Sequence, residues 1–159
     1  MKLTDLFLGE LERVPEGRDD WKPHDKSMPL GRLAALVAMM PAWLAMMIDK
    51  DEFDVHPPSG SSSSFARQFR TNKELVEAVD EAFDGARTAF QRTTDEHLMK
   101  PRRLLAGGKV VAEAPRHVML RESINHLAHH RGQLTVYLRL NNVPVPSIYG
   151  PTADEATFG

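Results

Sequence analysis

The sequence has no cysteine among its 159 residues. Disulfides and thiolate-ligated metal sites are therefore excluded, and any thiol chemistry must use a thiol that arrives on a small molecule. An excess of either charge is also lacking, since the formal net charge is −2. Charge therefore gives no reason to expect nucleic acid or an anionic membrane as a partner. The short basic cluster Lys100–Arg103 is typical of a solvated loop.

Long uninterrupted apolar runs are scarce. The longest, residues 33–48, contains Pro41 and is shorter than the roughly 20 residues that span a bilayer. The N-terminus mixes acidic with apolar residues and has no small-residue cleavage motif, which favours an amphipathic helix over a signal peptide. We expect one soluble, cytoplasmic domain covering residues 1–159, with no nucleic-acid or membrane partner.

Four segments repeat apolar residues every three or four positions, as amphipathic helices do. They are roughly Leu3–Arg13 (with Leu3, Leu6, Phe7 and Leu11), a segment from Ser27 to Lys50, Thr71–Thr93 and Arg116–Asn141. Ser27 is a candidate N-cap, and Thr71 with Glu74 matches a capping box.

The connections between these helices are long. Asp54–Phe69 is rich in proline, glycine and serine, as mobile linkers are. Gly107 and Gly108 predict a tight turn in a small hairpin. The tail after Asn141 is proline-rich and predicts irregular structure. We therefore predict an all-α fold, a four-helix bundle with long connections and an irregular C-terminal tail.

The fourth helical segment carries a polar stripe. On a helical wheel it occupies a sector roughly 80° wide and consists of Glu122, His126, His130, Gln133 and Tyr137. Apolar residues flank it on both sides: Leu120, Leu127, Leu134 and Leu138 on one, Val118, Val136 and Leu140 on the other. The stripe is therefore predicted to lie in the middle of the buried face, where polar groups need partners.

His126 and His130 lie one turn apart, so their imidazoles can converge on one metal ion with bonds of about 2.0–2.1 Å. His129 points away from both, and Glu122 is two turns, roughly 12 Å, from His130. Glu122 is better placed to orient His126 than to bind the ion. The alternative is a pair of core histidines, hydrogen-bonded to neighbouring side chains or buried water.

Two stretches resemble the DinB-like family, the four-helix-bundle proteins that include bacterial thiol-dependent transferases. They are "NHLAHHRGQLTVYLRLNNVPVPSIYGPTADE" (Asn125–Glu155), with its "HHRGQL" and "YGP" motifs, and "SMPLGRLAALVAMMPAWLAMMIDKDEFD" (Ser27–Asp54). The resemblance implies up-down-down-up topology, frequent homodimers, and a divalent metal, often nickel or zinc, held by three histidines. Two of these match His126 and His130.

The third histidine of that pattern belongs on the second helix, where this chain has Leu36. The triad is therefore predicted to be incomplete, and any metal binding to be weak or absent. A third ligand could come from a partner chain or from a loop histidine: His24, His56, His97 or His117. The pocket could instead bind an organic ligand without metal.

Further residues complete the predicted pocket. Leu36, Met40 and Trp43 could line it opposite the histidines, although Trp43 is more typical of core packing. Arg131 could bind an acidic ligand or a tail residue such as Asp154 or Glu155, or be solvated. Gly132 is expected to permit close approach of another helix.

Two functional hypotheses follow. The first is a metal-dependent transferase that adds a low-molecular-weight thiol to an electrophile. The second is a non-catalytic, dimeric helical bundle that binds a small molecule in a vestigial or weak metal pocket.

Overall fold

The computed structural model describes residues 8–57 and 68–156. After a helical turn at residues 8–11, the elements are α1 (Leu30–Asp49), β1 (Glu52–Asp54), α2 (Asn72–Arg92), α3 (Asp95–Met99), β2 (Pro101–Ala106), β3 (Lys109–Pro115) and α4 (Arg116–Leu140). The predicted apolar positions Leu3, Leu6 and Phe7 lie outside the described residues, as does the predicted mobile serine tract. The second, third and fourth helices predicted from the sequence correspond to α1, α2 and α4.

The starts of the helices follow from local hydrogen bonding. The Thr71 side chain accepts a hydrogen bond from the Glu74 backbone N–H at 3.3 Å, so the predicted cap of α2 is confirmed. The predicted Ser27 cap of α1 is wrong, because the N-cap is Pro29 and no side chain caps the helix. The preceding loop supplies acceptors instead: Leu30 N–H donates to the Trp21 carbonyl at 2.8 Å.

The core lies on both sides of α1, which packs against α2 and against α4. The main buried cluster brings together Leu33, Val37 and Met40 of α1, Leu75 and Val79 of α2, and Leu127, Leu134 and Leu138 of α4. Burial of this apolar surface is the main stabilising contribution to the fold. The predominantly helical architecture was predicted correctly, while the up-down-down-up order stays a prediction.

Within the described residues, α1 is long and apolar enough to cross a membrane by length and composition alone. The prediction that no segment is long enough to span a bilayer is therefore not met by this helix. Half of its most apolar stretch is buried inside the protein (50%). Core helices can have the same length and composition.

A small sheet corrects the all-α prediction. β1 pairs in parallel with β2 (Phe53 opposite Leu104), and β2 pairs antiparallel with β3. The strands are short and β3 is mostly exposed, so no alternating apolar pattern marks them in the sequence. The predicted tight turn is confirmed: Gly107 and Gly108 have φ of 61° and 76°, a conformation that favours glycine.

The carboxyl end of α1 is capped by side chains from three other elements. The Ile48 carbonyl accepts hydrogen bonds from His97 Nε2 (2.7 Å) and Arg116 Nε (3.3 Å). The Lys50 carbonyl accepts one from Arg102 Nε (3.1 Å). The last carbonyls of a helix have no partner within it and carry its negative dipole end. The cluster Lys100–Arg103 is therefore not a solvated loop as predicted, because Arg102 lies buried in β2.

Candidate functional site

The imidazoles of His126 and His130 meet on one side of α4. Their Nε2 atoms are 2.9 Å apart and their ring centroids 4.6 Å apart. With metal–nitrogen bonds of about 2.0–2.1 Å, a 2.9 Å separation corresponds to an N–metal–N angle of roughly 90°. The pair therefore has the spacing of two ligands that share one ion.

Gln133 determines how His130 presents its ring. The His130 Nδ1 atom lies 2.7 Å from the Oε1 atom of Gln133, one turn further along α4. Because an amide oxygen can only accept, Nδ1 carries the proton and donates it to Gln133. Neutral His130 then has a free lone pair on Nε2, which accepts a hydrogen bond from His126 Nε2–H. The hydrogen bond from His130 Nδ1–H to Gln133 fixes the orientation of the His130 ring. Metal-bound histidines are commonly oriented by a hydrogen bond of this kind from their other ring nitrogen.

The environment of His126 favours the uncharged ring. Its pKa lies below the usual value, first because the ring is partly removed from water and then because His130 and His129 lie nearby. A metal ion binds only an imidazole nitrogen that carries no proton. The pair is therefore suited to a cation that replaces the proton shared between the two rings.

The polar stripe lies at the edge of the buried face of α4, and the prediction that it occupies the middle is wrong. Leu127 and Leu134 are buried, whereas Val136 and Leu140, expected to flank the stripe inside the core, are both 55% exposed. The error arose because apolar side chains were assumed to be inside, although a folded surface retains many of them. His130 is buried and His126 is exposed. The histidine pair is thus open to solvent on one side.

Trp43 of α1 lies next to the histidines. Its ring centroid is 5.9 Å from that of His126, and the side chain also packs against the main core. Leu36 is half-buried and packs against the same cluster, while Met40 is almost completely buried within it. Trp43 thus brings an apolar surface of α1 next to the pair, while Leu36 and Met40 belong to the adjoining core.

The remaining members of the stripe differ from one another. Tyr137 is buried, donates its hydroxyl hydrogen to the Met28 carbonyl at 3.0 Å and packs edge-to-face on Trp21. Glu122 is exposed. The hydrogen bond that orients a histidine is donated by His130 Nδ1–H to Gln133 Oε1. The sequence had suggested Glu122 and His126 for that arrangement.

The residues present fit part of the metal site that the resemblance implies. His126 and His130 supply two converging nitrogens, but Leu36 has no donor atom. Among residues 8–57 and 68–156, no group of three or more histidine, cysteine, aspartate or glutamate side chains could hold a metal ion. His24, His56, His97 and His117 all lie within these ranges, so none of them completes such a group.

Arg131, next to His130, forms a buried ion pair that the sequence did not predict. Its Nε lies 3.1 Å from Glu10 Oε2, and both side chains are buried. Burial raises the pKa of Glu10 from 4.5 to about 7, against the opposing effect of the Arg131 charge. The signal was present in the sequence, because Glu10 falls between the apolar positions of the first helix.

The tail residues suggested as partners of Arg131 bind other arginines. Asp154 pairs with Arg139, and Glu155 pairs with Arg13 at 2.5 Å. The tail reaches Arg131 through Tyr149, whose ring centroid is 5.9 Å from the guanidinium carbon. The proline-rich tail is thus fastened along α4 and the N-terminal segment, without regular secondary structure.

Comparison with known proteins gives a consistent result. The profile of the DinB family matches residues 5–157. The uncharacterized protein YrdA of Bacillus subtilis (strain 168) is 31% identical over 86 residues, which are 54% of this chain and 49% of that protein. The match thus spans about half the length of this relative.

Two solved structures share the fold. A DinB-like protein from Bacillus cereus ATCC 10987 superposes with a TM-score of 0.70 at 22% identity, over 92% of this chain and 91% of its own. The DinB-like protein YjoA from Bacillus subtilis gives a TM-score of 0.65 at 17% identity, over 91% of each chain. The family match over almost the whole sequence shows that this chain belongs to the DinB family.

Proposed function

We propose that the protein uses His126 and His130 to bind a divalent metal ion together with a low-molecular-weight thiol, and transfers that thiol to an electrophile. The observation that supports this proposal is the convergence of the two Nε2 atoms at 2.9 Å, with His130 fixed by Gln133. Family membership supports the same reaction class through the resemblance to thiol-dependent transferases.

Each residue of the site has a defined part in this proposal. Gln133 holds the His130 ring with its Nε2 lone pair free. His126, exposed and next to Trp43, forms the side through which a ligand enters. A divalent ion held by both rings would lower the pKa of a coordinated thiol and so favour the reactive thiolate at neutral pH. Because the chain has no cysteine, the thiol must belong to the ligand.

The second candidate is a non-catalytic binding protein. Leu36 favours it, because an apolar side chain stands where the resemblance implies a third histidine. In this case the two rings bind each other and Gln133, and the site accepts a small molecule with weak metal or none. The homodimer implied by the resemblance and the cytoplasmic location stay predictions.

A thiol-transfer assay separates the two candidates. Purified protein with added nickel or zinc is incubated with an alkylating electrophile and each of the common bacterial thiols, and loss of thiol is followed. Metal-dependent transfer that is lost in His130→Ala supports the transferase. Absence of transfer with every thiol, in protein that still binds the metal, supports the binding protein.

A further inference from the structure

Arg102 is a buried cation with incomplete hydrogen bonding. Its side chain is only 1% exposed. The Nε atom donates to the Lys50 carbonyl at 3.1 Å, and Nη1 has only the Met119 sulfur, a weak acceptor, at 3.8 Å. The Nη2 atom is buried and has no hydrogen-bond partner within the described part of the chain. A buried charged group that lacks hydrogen-bond partners lowers the stability of the folded protein unless a ligand supplies those partners.

The surroundings add positive charge to this cation. Arg116, also 1% exposed, lies close enough to contribute with burial to a lowered pKa of Arg102. The carboxylate that pairs with Arg116 belongs to Asp51, whose side chain is 90% exposed and therefore screened by water. Arg116 thus has a solvated carboxylate as its partner, whereas no ion pair of Arg102 is found among the described residues.

A second unpartnered group lies on α4, one helical turn from Met119. Ser123 is buried, and its Oγ atom has no hydrogen-bond partner among the described residues. It is one helical turn beyond Met119, the residue whose sulfur touches Arg102. Side chains four positions apart on a helix are neighbours, with Cβ atoms about 5–6 Å apart. Met119 thus contacts the unsatisfied guanidinium and lies one turn from a hydroxyl whose hydrogen-bonding capacity is unused.

We propose that Arg102 and Ser123 form a binding site for an oxyanion, either a free phosphate or the carboxylate or phosphate group of a small-molecule ligand. The guanidinium supplies charge and paired N–H donors, the arrangement that carboxylate and phosphate oxygens bind best. Ser123 supplies a hydroxyl donor. The anion replaces the poor contact with Met119, whose flexible side chain can move aside.

The site uses other groups than the histidine pair, although both lie on the same helix. Ser123 precedes His126 by three residues, roughly 4.5 Å along the helix axis, but Ser123 is buried whereas His126 is exposed. Phosphate binding at Arg102 needs neither a metal nor the two imidazoles, so its test, carried out without added metal, stands apart from that of the proposed transferase.

Thermal unfolding tests the proposal, with inorganic phosphate as the probe for a free anion. At constant ionic strength set with sodium chloride, saturating phosphate is expected to raise the Tm by about 3 °C. Succinate, a carboxylate-bearing small molecule that has no thiol, serves as the probe for a ligand-borne anion. A rise with either probe supports the site and identifies the source, whereas a Tm unchanged by both overturns it.

Substitutions at Met119 locate the effect. Met119→Glu places a carboxylate beside Arg102, so it is expected to raise the Tm without probe and to abolish the response to phosphate or succinate. Met119→Gln, of similar size but uncharged, is expected to keep the response. Equal responses in both variants would place the anion elsewhere and overturn the proposal.

Two further variants keep the test decisive if Met119→Glu does not fold. Ser123→Ala removes only the unpartnered hydroxyl and is expected to weaken probe binding about 3- to 10-fold. His130→Ala is expected to leave probe binding unchanged. Unaltered binding in Ser123→Ala, or loss in His130→Ala, contradicts the assignment.

Discussion

The Nε2 atoms of His126 and His130 lie 2.9 Å apart, and only His130 has its other ring nitrogen fixed by a side chain one turn away. We expect this asymmetry to give the two histidines different tasks. His130 is buried and oriented, so we expect it to set the position of a bound ion. His126 is exposed, so we expect it to adjust to the ion and to a further ligand.

Gln133 is therefore expected to control metal affinity without contacting the metal. Gln133→Leu removes the acceptor for His130 Nδ1–H, and loss of such a partner typically weakens metal binding about 10- to 100-fold. Stability should change little, because Gln133 is exposed. Competition titration with a metal indicator measures the affinity. Glu122→Gln, at another exposed position of the polar stripe, is the control. An equal loss of metal affinity in this variant would contradict the role of Gln133.

Glu10 is expected to make stability fall as the pH rises. Its folded pKa is raised to about 7 from 4.5, so between these values the folded protein holds a proton that the unfolded chain has lost. The contribution is complete below about pH 4.5 and is lost as the pH passes 7. Glu10→Gln cannot titrate, so wild type should lose about 2 kcal/mol relative to this variant from pH 5 to 8.

Urea unfolding of wild type and Glu10→Gln at pH 5, 6, 7 and 8 measures this difference. Comparing the two proteins at each pH cancels the titration of all other groups. If wild type instead gained stability relative to the variant as the pH rose, the attraction of Arg131 would outweigh the burial of Glu10. The pKa of Glu10 would then lie below its usual value.

Arg116 is expected to be essential for stability, unlike the exposed Arg103 of β2. Arg116 binds the carbonyls of Ile48 and Pro101 and the Asp51 carboxylate. Arg116→Met leaves these acceptors without a buried donor and should lower the free energy of unfolding by about 3 kcal/mol. Arg103→Met, which loses only an exposed pair with Glu113, should cost less than about 1 kcal/mol. Similar losses in urea unfolding would contradict the capping role.

Gly132 and Gly108 are expected to respond oppositely to alanine. Gly132 lies inside α4, and a Cβ atom there would meet nothing within 4 Å, so the predicted close helix approach is absent from the described structure. Gly132→Ala should stabilise the protein by about 0.5–1 kcal/mol through helix propensity. Gly108→Ala should destabilise it by about 1 kcal/mol, because φ is 76°. Thermal unfolding measures both; a destabilising Gly132→Ala would indicate a neighbour that packs on this face.

The sequence predicted those features that depend on local patterns. Apolar spacing located three long helices, Thr71 located the start of α2, and paired glycines located the hairpin turn. The convergence of His126 and His130 also followed from their spacing on one helix. Each of these features is determined by residues close together in the chain.

Features that depend on distant contacts were missed. The sheet forms because Glu52–Asp54 pairs with a strand some fifty residues later, and no pattern within β1 indicates that partner. Arg102 and Arg116 are buried because the carbonyl end of α1 needs donors, which becomes visible only when the elements are assembled. The position of the polar stripe was wrong for the same reason, since the helices that pack against α4 determine which of its faces is buried.

We propose that His126 and His130 form two thirds of a metal site whose third position is Leu36. Calorimetric titration of Leu36→His with nickel and zinc, beside wild type and Leu36→Gln, tests it most directly. Leu36→His is expected to bind the metal at least about tenfold more tightly than wild type, because a third imidazole joins the other two, whereas Leu36→Gln is not. Equal affinities in all three proteins would contradict it, because α1 would then not present position 36 to the histidine pair.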